Sequence, residues 1–193
     1  MSTKQYFDTI KSVLDLVDLD SLDRCIATIC SFVNCSNKIL ICGNGGSAST
    51  ASHYVTDWVK MSLVLREKKL NAICLSDNIG MLTAYANDVN YDDVYSKQVE
   101  SYGDRGDLLI VVSGSGNSKN ILKAVQKAKE LQMRTIAVVG YDGGQVLGNV
   151  DEYFHVPSFD MQICEDVHLM FGHMVMKALV EDCKGTTSTN IKF

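Results

Sequence analysis

The chain has 193 residues, 46% of them hydrophobic and 21% charged, which is enough for a substantial core and argues for a single domain over 1–193. A net charge of −5 and a pI near 5.3, with no Lys/Arg cluster, exclude a nucleic-acid surface as the main function. They leave room for an anionic ligand, because a helix N-terminus binds phosphate without a basic patch. No apolar run approaches a membrane span, and Met1-Ser2-Thr3-Lys4-Gln5 lacks a signal peptide's apolar core, so no membrane partner and a cytoplasmic location are expected.

Helical spacing opens the chain, with Ile10, Val13, Leu14 and Val17 on one stripe and Leu22, Cys25, Ile26 and Ile29 on another. These predict two N-terminal helices within 1–35. Strand-like runs then recur at 38–42, 71–75, 107–112, 134–139 and 152–156, separated by helix-compatible segments. That alternation predicts a parallel α/β sheet with helices on both faces. Pro157 precedes an apolar helix over 161–180, and the polar tail at 184–192 is expected to fray. The cysteines (Cys25, Cys30, Cys35, Cys42, Cys74, Cys164, Cys183) are odd in number, unpaired in spacing and set in apolar stretches. They are expected to be buried small hydrophobes.

Two turns carry chemistry. The first strand runs into Gly43-Asn44-Gly45-Gly46-Ser47-Ala48, and the third into Ser113-Gly114-Ser115-Gly116-Asn117-Ser118 ahead of a helix-like segment at 119–131. A strand ending in a glycine turn that feeds a helix aims unpaired N–H groups at an anion. Neither turn has the P-loop or dinucleotide spacing, and the hydroxyls of the second suit a terminal phosphate monoester. Either turn alone is also compatible with ordinary strand-to-helix turn chemistry. Both lie at strand carboxyl ends, where open parallel sheets bind ligands.

Polar residues follow the same plan. His53 and Asp57, at i and i+4, share a helix face and can bind one cation, or the carboxylate can orient the imidazole. Such a pair is also common surface decoration. Glu165 and His173 lie within about 80° of each other on the last helix, whereas His168 points about 140° away from His173. A lone histidine in Leu169-Met170-Phe171-Gly172-His173-Met174 is more often a core residue than a ligand. His155 has no partner pattern and is read as structural.

Cys-Gly-Asn-Gly-Gly-Ser-Ala at 42–48, Ala-Asn-Asp at 86–88, Ser-Gly-Ser-Gly-Asn-Ser at 113–118, Gly-Tyr-Asp-Gly-Gly at 140–144 and Glu-Asp-Val-His-Leu at 165–169 resemble the sugar isomerase (SIS) domain family. Within it the chain resembles the phosphoheptose isomerases over nearly its whole length. The resemblance implies a three-layer, flavodoxin-like parallel sheet preceded by two helices, and a homotetramer with active sites at subunit interfaces. It implies zinc as a cofactor in many members. It also implies conversion of sedoheptulose 7-phosphate to D-glycero-D-manno-heptose 7-phosphate through an enediolate. The alternative is a non-catalytic SIS module that binds a sugar phosphate or a replication initiator.

Carried over by position, the resemblance assigns substrate binding to Asn44, Gly45, Gly46, Asn87, Asp88, Ser113, Gly114, Ser115, Ser118 and Glu165. Gly114 stands where a threonine is common. The metal set would be His53, Asp57, Glu165 and His173, and the catalytic set Asp57, Glu165 and His173. Here Asp57 replaces a glutamate and Glu165 a glutamine. The shorter Asp57 carboxylate retreats by about 1.5 Å, and misplacement by about 1 Å can cost roughly a hundredfold in rate. The new carboxylate at Glu165 is read as the compensating change.

Overall fold

In this computed structural model the described residues are 1–64 and 69–181; the expected tail at 184–192 and Cys183 lie outside them. The β-branched runs become strands because a parallel sheet covered on both faces needs apolar side chains at successive positions. β1 (Ile39–Gly43) and β3 (Leu108–Ser113) are buried throughout, and β4 (Arg134–Val139) is buried after Arg134. The less buried β2 (Ala72–Cys74) and β5 (Glu152–His155) form the edges of a parallel sheet ordered β2-β1-β3-β4-β5. This is the flavodoxin-like order, whose switch point lies between β1 and β3. Gly43 is in register with Val112, so the two glycine turns open side by side at that point.

Alternation along the strands sorts the core into two clusters. Ile39, Ile41, Leu108, Ile110 and Val112 face α1 (Thr3–Leu14), α2 (Leu19–Cys30), α3 (Gly46–Val64) and α8 (Met161–Glu181). Leu40, Cys42, Leu109 and Val111 face the other layer: α4 (Ile79–Asp88), α5 (Val94–Tyr102), α6 (Lys119–Glu130) and α7 (Gly144–Leu147). Both expected N-terminal stripes join the first cluster. The cysteine expectation holds for Cys25, Cys42, Cys74 and Cys164, but Cys30 is half-buried and Cys35 is exposed. Cys35 lies in the α2–β1 loop, beyond the core, where its thiol donates 3.2 Å to Asn37 Oδ1.

α3 and α8 lie in direct contact. Any side chain at Gly172 would collide with the Tyr54 ring, and the Trp58 indole donates 3.0 Å to the Gly172 carbonyl. Tyr54 stacks on Trp58 and donates its hydroxyl to the His168 carbonyl. An added methyl in so tight a seam destabilises by about 1–3 kcal/mol. This seam fixes the neighbours of Tyr54 and Gly172 in sequence, which are His53 and His173.

Candidate active site

The second turn is built to stay open. Gly116 has φ +62° and presses on the Gly143 carbonyl, so only glycine fits. The 140–144 loop and α7 brace the turn: Gly140 N donates to Gly114 O (3.0 Å), Gln145 N to Asn117 Oδ1 (3.0 Å) and Val146 N to Gly116 O (3.1 Å). Ser113 is buried, and its hydroxyl accepts 3.2 Å from Gly116 N inside the turn. Ser115 accepts 3.3 Å from Asn117 N and remains half-buried. Ser118 stands at the N-cap of α6, yet its hydroxyl makes no capping bond. The N-terminus of α6 is thus left without a side-chain cap directly after the turn, the kind of helix end that favours an anion. A Cβ at Gly114 would lie 2.5 Å from Met161 Sδ, so Met161 fills the space a threonine side chain would need.

The first turn is arranged differently. Gly45 takes φ +56°, and Gly43 is tied down by Ser76, whose Oγ accepts 3.3 Å from its N–H, and by the Tyr95 hydroxyl on its carbonyl. A Cβ at Gly46 would lie 2.5 Å from Glu165 Oε1. The Glu165 carboxylate thus rests beside the first residue of α3, where a helix N-terminus favours negative charge. Among the described residues it has no hydrogen-bond or ion-pair partner. Asn44 forms a reciprocal amide pair with Asn120 at 2.9 Å in each direction, and its Oδ1 also accepts 3.1 Å from the Tyr91 hydroxyl.

The other expected residues separate into two groups. Asn87 and Asp88 close α4, are exposed, and pair with each other at 2.7 Å; among the described residues neither bonds to a glycine turn. His53, Asp57 and His173 do come together: His53 Nε2 is 3.2 Å from both His173 Nε2 and Asp57 Oδ2, and the latter is 3.9 Å from His173 Nε2. The Glu165 carboxylate is not among the donor atoms that converge there. Bonds of about 2.0–2.1 Å to a tetrahedral ion place donors roughly 3.3 Å apart; the two 3.2 Å separations match that spacing, whereas the 3.9 Å between Asp57 Oδ2 and His173 Nε2 is wider than it. Asp57 reaches the cluster despite its missing methylene.

The remaining histidines stay outside it. His155 donates 2.9 Å to the Tyr141 carbonyl. His168 is 1% exposed, neither ring nitrogen has a hydrogen-bond partner of normal geometry among the described residues, and burial lowers its pKa to about 4. The sequence reading missed Asn120, Tyr91 and Met161. Asn120 sits two residues after Ser118, but nothing in its local sequence shows that it reaches across to Asn44.

A sequence model of the SIS domain matches residues 5–140. A phosphoheptose isomerase of Helicobacter pylori is 41% identical over 156 residues, covering 81% of each chain. One from Clostridium acetobutylicum is 36% identical over 181 residues, 94% of this chain and 86% of that one. The solved phosphoheptose isomerase of Francisella tularensis superposes with a TM-score of 0.84 at 26% identity, over 94% of this chain and all (100%) of that one. That of Neisseria gonorrhoeae gives 0.84 at 29% identity, over 92% and 96%.

Proposed function

The chain belongs to the SIS-domain family and, within it, to the phosphoheptose isomerases, and from that premise we propose that it converts sedoheptulose 7-phosphate to D-glycero-D-manno-heptose 7-phosphate as a single SIS domain. It is an isomerase. The observation that carries the substrate reading is the pairing of an uncapped helix N-terminus at the second turn with a carboxylate at the first that has no partner among the described residues, side by side at the switch point.

Ser115, Ser118 and the first N–H groups of α6 hold the phosphate, with Ser113 and Gly114 shaping the turn. Gly45 and Gly46 let the sugar chain approach the backbone of the first turn, and Asn87 and Asp88 meet its hydroxyls. Glu165 takes the proton from C1 of the ketose and returns it to C2 of the enediolate. With no metal on them, His53 and His173, Nε2 to Nε2 at 3.2 Å and beside Asp57, relay the hydroxyl proton between O1 and O2. His53, Asp57 and His173 would hold zinc, which when bound supplies a Lewis acid for the carbonyl. The enzyme acts in the cytoplasm; among the described residues no helix is long and apolar enough to cross a membrane.

The assembly is a homotetramer. Phe7 on α1, Leu16 in the turn after it and Leu19 at the start of α2 are 59–67% exposed, apolar surface that a second copy covers. Light scattering at micromolar concentration should give four times the chain mass, and a monomer would contradict it.

The decisive experiment mixes the purified protein with sedoheptulose 7-phosphate and follows the aldose by NMR, with and without added zinc. Growth of the aldose signals is expected. No turnover on any heptose or pentose phosphate would leave only a binding module.

A further inference from the structure

The amide pair across the switch point does more than fill space. Asn120 is 3% exposed, and its Oδ1 accepts from both Asn44 Nδ2 (2.9 Å) and the Ile121 N–H (3.0 Å). Asn120 Nδ2 donates back to Asn44 Oδ1 at 2.9 Å, and that oxygen takes its second bond, 3.1 Å, from Tyr91. An amide offers two acceptor sites on oxygen and two N–H donors on nitrogen. Both lone pairs of Asn44 Oδ1 are therefore used, and one of its two N–H groups. Rotating the Asn44 amide by 180° would set oxygen against oxygen and nitrogen against nitrogen at Asn120, so only one orientation satisfies the pair.

Three segments meet in this clamp: the first turn through Asn44, the segment just after α4 through Tyr91, and the start of α6 through Asn120. We propose that Asn120 is a positioning residue, which holds the Asn44 carboxamide in that single orientation with one N–H left to meet a substrate oxygen. The inference rests on the sugar-phosphate reading above and adds a residue that the motif-based site lacks. It also links the two turns, so that the donor at the first is fixed relative to the phosphate held at the second.

The test is a double-mutant cycle with a ligand-free control. Asn120→Ala should lower kcat/KM about tenfold, the scale of one neutral hydrogen bond, while the dissociation constant for inorganic phosphate stays within twofold. Asn120→Asp preserves size and the bond to Ile121, but sets a carboxylate oxygen against Asn44 Oδ1, so it should lose as much as the alanine variant. In an Asn44→Ala background, Asn120→Ala should cause no further loss. An equal loss in both backgrounds, or full activity in Asn120→Asp, would overturn the proposal, because a purely structural residue behaves that way.

The control is hydrogen exchange of the Asn44 side-chain amide by NMR in the ligand-free protein. One Nδ2 proton should exchange more slowly than the other, and Asn120→Ala should abolish the difference. Equal rates in the unmutated protein would overturn the clamp. If the unmutated protein turned over no sugar phosphate, the functional reading would fail while the exchange measurement still decided the clamp.

Discussion

The turn after β1 and the turn after β3 open from neighbouring strands, each rich in glycine and each feeding a helix, but they meet different atoms of α8. Met161 lies against Gly114 in the second turn and Glu165 against Gly46 in the first, four residues or about one helical turn further on. The second turn is left with uncapped donors. The first has a carboxylate of the protein's own beside its helix N-terminus. Two similar turn sequences thus acquire different neighbours from the helix laid across them, a difference that the turns' own residues do not encode.

The sharpest way to break this comparison is Glu165→Gln, which keeps the shape and removes the charge. Turnover should fall roughly a hundredfold or more, the scale of lost general acid–base catalysis, with phosphate affinity nearly intact. Full turnover by Glu165→Gln, with Asp57→Asn inactive, would return the base role to Asp57.

The next effect concerns the helix that distinguishes the turns. His168 takes up a proton near pH 6.5 when unfolded but only at about 4 when buried in α8. Between these values the unfolded chain binds more protons, so stability falls as the pH drops. At pH 5 the loss relative to neutral pH is about 2 kcal/mol. Urea midpoints at pH 7 and pH 5 should show it, and His168→Met should flatten that slope.

A smaller effect isolates the second turn: Ser115→Ala with Ser118→Ala should weaken sugar-phosphate binding at least tenfold, since hydrogen bonds to charged groups contribute about 1.5–3 kcal/mol each. Unchanged affinity in calorimetry would remove this turn from the site. The smallest contrast sets Gly114→Ala against Gly46→Ala. At Gly114 the thioether end of Met161 swings aside, and binding should change less than threefold. At Gly46 the group displaced is the Glu165 carboxylate, so turnover should drop by more than the Gly114 variant loses in affinity.

Much of this was legible in the sequence. The runs at 38–42, 107–112 and 134–139 become continuously apolar after their first one or two residues, the pattern of a doubly covered strand. Glycine before a helical pattern located both turns. The convergence of His53 and His173 was foreshadowed by the family motifs, but its cause, the Gly172–Tyr54 seam, is a contact across 118 positions that no local pattern encodes. For the same reason the reading could not see Glu165 at Gly46 rather than at the histidine cluster, nor Asn120 at Asn44. Those placements depend on side-chain reach between elements. Cys35 was misread because a short apolar neighbourhood resembles a core segment even when it lies in a loop.

The seam between α3 and α8 also sets an order of events during synthesis. A chain leaving the ribosome N-terminus first exposes His53 and both glycine turns well before His173. At about 5–20 residues per second, the interval between the start of α6 and His173 is on the order of 3–10 s. Until α8 arrives, the first core cluster lacks Ile163, Val167 and Phe171, and its side of the sheet stays partly bare. The nascent protein therefore carries both glycine turns before the helix that supplies His173, and it completes its hydrophobic core in the same step that completes its histidine pair.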